Sequence, residues 1–520
     1  MNSRILVIRL GSLGDVILTS ATVLNLKIAY PNSRLTFLTK ARFEPLARML
    51  TGVDDVITLP EDATARDYFH LLLALDKQNF DLVVDLHGNP RSWLARRMVS
   101  AGNTMAYPKR RLSRWLTVRH LTTPDDVPHT IDLYNSALAE NGITPYVSRP
   151  VMHDLKLQKL PPDIDKLHAQ FVVIAPGAAH TTKQWPIERF QQLAHLLIKR
   201  HSLKILWVAV AQDRLSENVR SSFGERLTEL IDWPLEQLAP VLAAARCTIS
   251  NDSGLMHLAS AVGSPVIAIF GPTHSSLGFS PRGLHDRMVE VDEYCRPCSL
   301  HGNKPCHRTE QFCFTRISPE MVADIASERI AAPLQKAIFF DRDGTLIQDK
   351  HYLSDPNLVE LIPGAVEALQ AARKGGYRLV SLSNQSGVAR GIFPVSAMHA
   401  VQQRFEQLLA QGGVTLDASA TCPHYPFGTV PEFTMHCCCR KPHPGMAEIT
   451  ARKLGINLHQ SIVIGDKLDD LNLGLVTGGV PILVRTGHGR ETEQSITSGD
   501  LYSTVQVFDS VVDAVASLRK

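Results

Sequence analysis

At 520 residues the chain is too long for a single hydrophobic core, and two to four domains are expected. Its 44% hydrophobic and 20% charged residues are those of an ordinary soluble protein without a low-complexity tract. A net charge of +3 is too small to argue by itself for nucleic acid or a membrane as partner.

The N-terminal run MNSRILVIRLGSLGDVI passes from a short apolar stretch directly into a glycine turn. It lacks the h-region and cleavage site of a signal peptide, and no stretch reaches the apolar length of a membrane-spanning helix, so a cytoplasmic location is expected. Thiols stay reduced there. Eight of the nine cysteines fall in two clusters, Cys295 to Cys313 and Cys422 to Cys439, which points to metal more than to disulfides.

Short β-branched runs alternate with amphipathic stretches, a pattern that predicts parallel α/β architecture. The first strands are RILVIRL, RLTFLT, DDVITL and FDLVVDL. After the first of them, LGSLGDVI makes a glycine turn with Asp15 at a helix start, where an N-cap role and a catalytic role are both open. From His87 to Pro124 there is no acidic residue, while Arg91, Arg96, Arg97, Lys109, Arg110, Arg111, Arg114 and Arg119 crowd together. That segment is either a solvated face or a landing surface for an anionic acceptor or an acidic bilayer.

A weakly patterned, proline-rich segment from Pro150 to Pro162 interrupts the rhythm, which restarts with FVVIAPG, KILWVAV, CTISND and PVIAIFGP. Here APGAAHTTKQWP presents Lys183 just ahead of a helix opened by Trp185-Pro186. In NDSGLMH, Asp252 leads Ser253 and Gly254 into a helix N-terminus, whose free N–H groups and dipole favour a diphosphate. His257 lies on the first turns of that helix and could face the same site. Cys295, Cys298, Cys306 and Cys313 then offer either four ligands for a second metal or four unliganded thiols. A further apolar strand follows, giving three α/β units at 1–160, 161–333 and 336–520.

The third unit opens with KAIFFDRDGTL, in which Asp341 and Asp343 sit two apart where a buried strand ends. Phosphoryl transfer to a carboxylate needs a nucleophile, a proton donor for the leaving oxygen and a cation for the phosphate. Asp341 suits the first task and Asp343 the second. RLVSLSNQSG ends a strand with Ser383 and Asn384, donors for a phosphate oxygen; CRKPHPGM supplies Arg440 and Lys441; SIVIGDKLDDL ends a strand with Asp466, a Mg²⁺ ligand, followed by Lys467 and by Asp469 in support. Between them, Cys422 and His424 with Cys437 and Cys439 have the ligands for a closed, structural tetrahedral zinc site. Cys438 leaves the register ambiguous; the pair that runs directly into Arg440 and Lys441 is preferred.

These motifs resemble the haloacid dehalogenase superfamily over about Lys336 to Lys520. The resemblance implies Asp341 as nucleophile, Asp343 as acid/base with its backbone carbonyl on magnesium, Ser383 and Lys441 on the phosphoryl group, and Asp466 completing the metal site. With NQSGVARG and LVRTGHG, the zinc loop resembles the heptose 1,7-bisphosphate phosphatases, close kin of the histidinol-phosphate phosphatases, and Arg440 then selects substrate.

Residues 1 to 330 resemble the lipopolysaccharide heptosyltransferases, which implies two facing Rossmann-like domains in the GT-B arrangement. By motif, Asp15 is then the general base. Lys183 and the Asp252-Ser253-Gly254 turn hold the diphosphate of ADP-heptose, with His257 nearby. The implied partners are heptose bisphosphate, ADP-heptose and an anionic lipopolysaccharide core acceptor, met peripherally at the inner membrane surface. The alternative is a histidinol-phosphate-type phosphatase fused to a non-catalytic sugar-nucleotide-binding or docking module. Nucleic-acid end processing is not expected, since no P-loop and no aromatic–basic interleaving occur.

Overall fold

The computed structural model describes residues 3–122, 127–153, 159–496 and 501–518. The Pro124 end of the basic segment and part of the Pro150–Pro162 stretch lie outside them. The chain divides into two compact units, Met1–Pro333 and Leu334–Lys520.

The first unit holds two sheets. One comprises β1 (Arg4–Ile8), β2 (Arg34–Lys40), β3 (Asp55–Leu59), β4 (Phe80–Asp85) and β5 (Ala101–Ala106) in the order β3-β2-β1-β4-β5. The other comprises β6 (Phe171–Ala175), β7 (Lys204–Ala209), β8 (Leu227–Ile231), β9 (Thr248–Asn251), β10 (Val266–Ile269) and β11 (Arg287–Val289) in the order β11-β10-β9-β6-β7-β8. The second unit has one sheet, made of β12 (Ala337–Phe340), β13 (Arg378–Asn384), β14 (Ala418–Cys422), β15 (Ile462–Gly465), β16 (Val480–Val484) and β17 (Gln506–Phe508), ordered β14-β13-β12-β15-β16-β17.

Neighbouring strands pair in parallel in all three sheets. Helices cover both faces of such sheets, so central strands become continuous apolar runs. All four residues of β12 and all five of β6 are buried. Edge strands escape this demand: β5 reads AGNTMA and buries only Met105 fully, which explains why its apolar signal is missing from the sequence.

Chain order reverses at one central strand in each sheet: β1 lies between β2 and β4, β6 between β9 and β7, and β12 between β13 and β15. Loops leaving the carboxyl ends of such strands diverge and open a crevice, the usual ligand position in parallel α/β sheets. Asp15, Lys183 and Asp341 each follow such a strand.

The first unit's two halves meet through helices. Leu13–Leu18, which follows β1, packs on Gly254–Ala261, which follows β9. A Cβ on Gly14 would come within 2.7 Å of the His257 ring. One on Gly254 would overlap the Leu13 side chain. Both glycines are therefore demanded by the close approach.

Candidate active sites

In the second unit Lys441 organises the crevice beyond β12. Its ammonium lies 2.6 Å from Asp341 Oδ1, 2.6 Å from Asp470 Oδ1 and 2.8 Å from the Leu382 carbonyl. Burial alone would lower the Lys441 pKa, but Asp341 and Asp470 hold it above its ordinary value. Asn384 braces the same residue: its amide donates to the Lys441 carbonyl at 3.1 Å and its oxygen accepts from the Lys441 N–H at 3.0 Å. Asn384, expected to meet a phosphate, also lines the cleft.

Asp343 points to a different set of donors. It pairs with the buried Arg342 at 3.0 Å and accepts from Ser383 Oγ at 3.1 Å and Gln385 Nε2 at 2.8 Å. The cleft, about 330 Å³, is lined by both aspartates, Ser383, Arg440, Lys441 and Lys467 among others. Lys467 sits 3.4 Å from Asp349.

Carboxylate oxygens of Asp341, Asp466 and Asp470 all lie within 4.8 Å of one another. Asp466 is fully buried, and its Oδ2 accepts from the His488 N–H at 2.8 Å. Its Oδ1 has no hydrogen-bond partner, Lys467 Nζ being 4.0 Å away. Burial, reinforced by Asp341, pushes this carboxyl up to about 8. Three crowded carboxylates, one orphaned oxygen and, among the described residues, only one ammonium within 3 Å of any of them, that of Lys441, fit a divalent cation. Asp470 joins Asp341 and Asp466 in this group of side chains, while Asp469, expected in a supporting role, lines the cleft, as does Asp343, whose expected contribution is its backbone carbonyl.

At the end of β14 a second group assembles. Cys422, His424, Cys437 and Cys439 offer ligand atoms all within 4.8 Å, with the Cys439 sulfur 3.1 Å from that of Cys422 and 3.2 Å from His424 Nδ1. Cys438 is exposed, which resolves the ambiguity of register. Three thiols and an imidazole suit a metal, and the last of them, Cys439, stands two residues before Lys441. No three of Cys295, Cys298, Cys306 and Cys313 come within the same mutual distance. That loop is pinned by Arg296 instead, whose buried guanidinium donates to the Gly271, Val291 and Thr273 carbonyls and to Glu290.

In the first unit, Asp15 forms an ion pair with Arg9 and accepts from the Ser12 N–H at 3.2 Å and Ser12 Oγ at 3.0 Å. Burial would raise its pKa, yet Arg9 and Ser12 outweigh that and hold it below the usual carboxylate value. Among the described residues, Asp15 is the one acid lining a cavity of about 780 Å³, where it faces Arg9, Lys109, Arg111, Arg114 and Lys304. Lys183 pairs with Asp252 at 2.6 Å, and Thr273 Oγ1 donates to the same carboxylate at 2.8 Å. Both residues are held in place by Trp185, whose N–H donates to Asn251 Oδ1 at 3.0 Å and whose indole donates to the Ile317 carbonyl at 3.2 Å. Ser253 caps the helix Gly254–Ala261. His257 is buried against Gly14 with no partner on Nδ1, and burial lowers its pKa to about 4, so the ring is neutral.

Sequence reasoning missed Asp470, Gln385, Arg342 and Arg9. Asp470 carried a signal: it is the third residue after Lys467, where its carboxylate accepts the Lys467 N–H at 3.1 Å and locks the turn.

The family model for glycosyltransferase family 9 (heptosyltransferase) matches residues 68–306. Models for polynucleotide kinase 3 phosphatase and for HAD-hydrolase-like proteins match residues 336–473 and 438–514. The chain is 38% identical over 186 residues to the D-glycero-beta-D-manno-heptose-1,7-bisphosphate 7-phosphatase of Salmonella typhi, covering 35% of this chain and 95% of that one. It is 41% identical over 185 residues to the enzyme of the same name from Escherichia coli K12, covering 35% and 94%. Among solved structures, the E. coli heptosyltransferase WaaC with ADP is 20% identical with a TM-score of 0.48, covering 63% of this chain and 99% of that one. The chain thus belongs to the D-glycero-D-manno-heptose-1,7-bisphosphate 7-phosphatase family, and joins that haloacid dehalogenase-like unit to a glycosyltransferase family 9 unit in one polypeptide.

Proposed function

We propose that the chain is a bifunctional enzyme of heptose and lipopolysaccharide core biosynthesis. The C-terminal unit removes the 7-phosphate of D-glycero-D-manno-heptose 1,7-bisphosphate, and the N-terminal unit transfers heptose from ADP-heptose to the lipopolysaccharide inner core. The observation that carries the reading is Lys441 held between Asp341 and Asp470 beside the orphaned Asp466 oxygen, in a chain covering nearly the whole length of named heptose bisphosphate phosphatases.

In the phosphatase, an Asp341 oxygen attacks phosphorus while the bond to the sugar oxygen breaks, and Asp343 protonates the departing alkoxide. Water then attacks the aspartyl phosphate, giving its proton to Asp343 and releasing inorganic phosphate and free Asp341. Lys441 and Ser383 hold the phosphoryl oxygens, and Arg440 and Lys467, at the cleft wall, meet the rest of the anionic substrate. Asp341, Asp466 and Asp470 would hold Mg²⁺, which when bound neutralises phosphoryl charge. Zinc in the Cys422, His424, Cys437 and Cys439 group would fix the loop that delivers Arg440 and Lys441.

In the transferase, Arg9 keeps Asp15 ionised, ready to take the acceptor hydroxyl proton. The acceptor oxygen bonds to the anomeric carbon from the face opposite the departing ADP. Lys183 and the N–H groups behind Ser253 stabilise the ADP charge once Lys183 leaves Asp252. The cationic cavity suits an acidic acceptor. Beside it Trp115 is 51% exposed and Leu112 67% exposed, which supports peripheral contact with the membrane that carries such a lipid. Among the described residues no helix is long and apolar enough to cross a membrane.

A substrate panel tests the phosphatase reading: heptose bisphosphate, histidinol phosphate and a 3′-phosphorylated oligonucleotide. Heptose bisphosphate should have the highest kcat/KM. Preference for histidinol phosphate would overturn the pathway assignment of both units.

A further inference from the structure

The Cys295–Cys313 loop has no role in the reading above, yet it reaches both halves of the transferase site. Its buried anchor is Arg296, and Glu293 adds ion pairs to Arg308 at 2.7 Å and Arg316 at 2.5 Å. From that base the loop sends Ser299, His301 and Lys304 into the wall of the cavity that contains Asp15. On its other side, the Gly302 carbonyl accepts from Thr182 Oγ1, and Gln311 Nε2 donates to the Thr182 carbonyl at 2.7 Å. Gly302 is buried with φ +71°, and a Cβ there would overlap the Lys183 stem. Thus one short loop is welded to the lysine expected at the diphosphate and borders the cleft of the expected base.

His301 is the residue between these attachments. It is exposed to the cleft, lies within electrostatic reach of both Asp15 and Lys183, and packs tilted on Phe279 at 6.3 Å between ring centroids. Arg114 covers the same Phe279 ring at 4.6 Å. A base at one end and a diphosphate at the other leave the transferred sugar as the group lying between them.

We propose that His301 is a sugar-recognition residue of the transferase: its imidazole contacts hydroxyl groups of the sugar carried on the nucleotide diphosphate, and Gly302 seats Lys183 so that sugar and diphosphate are read by one loop. This rests on the ADP-heptose reading. It also gives a function to the cysteine-rich segment, whose shape Arg296 and Glu293 help to fix.

Equilibrium binding to the full-length chain separates the possibilities, using ADP and ADP-heptose as probes in calorimetry. His301→Ala should weaken ADP-heptose about tenfold, the size of a lost hydrogen bond or two, and leave ADP affinity unchanged. His301→Asn, which can still donate and accept, should recover part of the loss. Equal affinity of His301→Ala and the parent for ADP-heptose would overturn the proposal. So would parallel loss of ADP and ADP-heptose, which marks a scaffold residue. Failure of the parent chain to bind either probe would remove the transferase reading itself, and this inference with it. Unchanged ADP affinity in each variant reports that the transferase unit is folded, since the phosphatase belongs to the other compact unit.

Discussion

Replacing Lys441 by Met tests the phosphatase site most severely, because it removes charge without removing volume. The side chains of Lys441, Asp341 and Asp470 are 4%, 6% and 2% exposed, so water cannot take over the lost interaction. Breaking a buried ion pair from one side costs about 3–5 kcal/mol. For a unit of this size each kcal/mol moves the midpoint by roughly 2–4 °C, which gives a fall of roughly 6–20 °C. The pH dependence has a definite sign. Burial already raises the Asp341 pKa against the opposing pull of Lys441. Without that ammonium the folded unit binds its proton more tightly than the unfolded chain does. Stability is then retained at pH values below the ordinary carboxyl value and lost as pH rises toward the folded-state value. Differential scanning calorimetry in EDTA at pH 5 and pH 8 reads both effects, on the transition that Mg²⁺ shifts in the parent chain. Adding Asp470→Asn to Lys441→Met should recover most of the stability but none of the activity, which falls about 10²–10³-fold with the loss of a fixed phosphoryl donor. A Lys441→Met chain melting within about 2 °C of the parent at both pH values would refute the account of a buried, mutually compensating set.

Gly344→Ala should silence the phosphatase, because residue 344 has φ +89° and its Cβ would strike the Asp466 carboxylate; Mg²⁺-dependent turnover and Mg²⁺ affinity should fall together. Cys439→Ser, or a strong chelator, should strip one metal ion per chain, measured by elemental analysis, and lower kcat more than it lowers heptose bisphosphate affinity; unchanged metal content would exclude this ligand set. Asp15→Asn should cut transfer about 10²–10⁴-fold and leave heptose bisphosphate hydrolysis intact. Arg9→Met should move the acid limb of the transfer pH profile upward, because Asp15 loses the cation that holds its pKa down.

The central strands were readable because parallel strands covered on both faces must be apolar: RILVIRL, FVVIAPG and AIFF all lie at sheet centres. Polar edges such as AGNTMA gave no periodic signal, since one side of the strand meets solvent. Around Asp341 the chemistry was legible where short motifs end strands, and illegible where partners arise from packing. Asn384 looks like a phosphate donor in sequence, and only the fold shows that it also braces Lys441 through two hydrogen bonds. Asp469 and Asp470 are equivalent as letters; helical phase turns Asp470 toward Lys441 and leaves Asp469 on the cleft wall. The cysteine clusters were equally suggestive, and distance separates them: one set converges on a shared point and the other does not.

Where Gly14 meets His257 and Gly254 meets Leu13, bare backbone is the spacer that sets how far the carboxylate after β1 stands from the helix end after β9. The reach of the transferase is therefore graduated in missing methyl groups. A single alanine at either glycine would act as a shim, pushing the two half-sites apart while leaving each half-site chemically whole. A double alanine chain would keep its nucleotide and its acceptor surfaces and still hold them at the wrong separation.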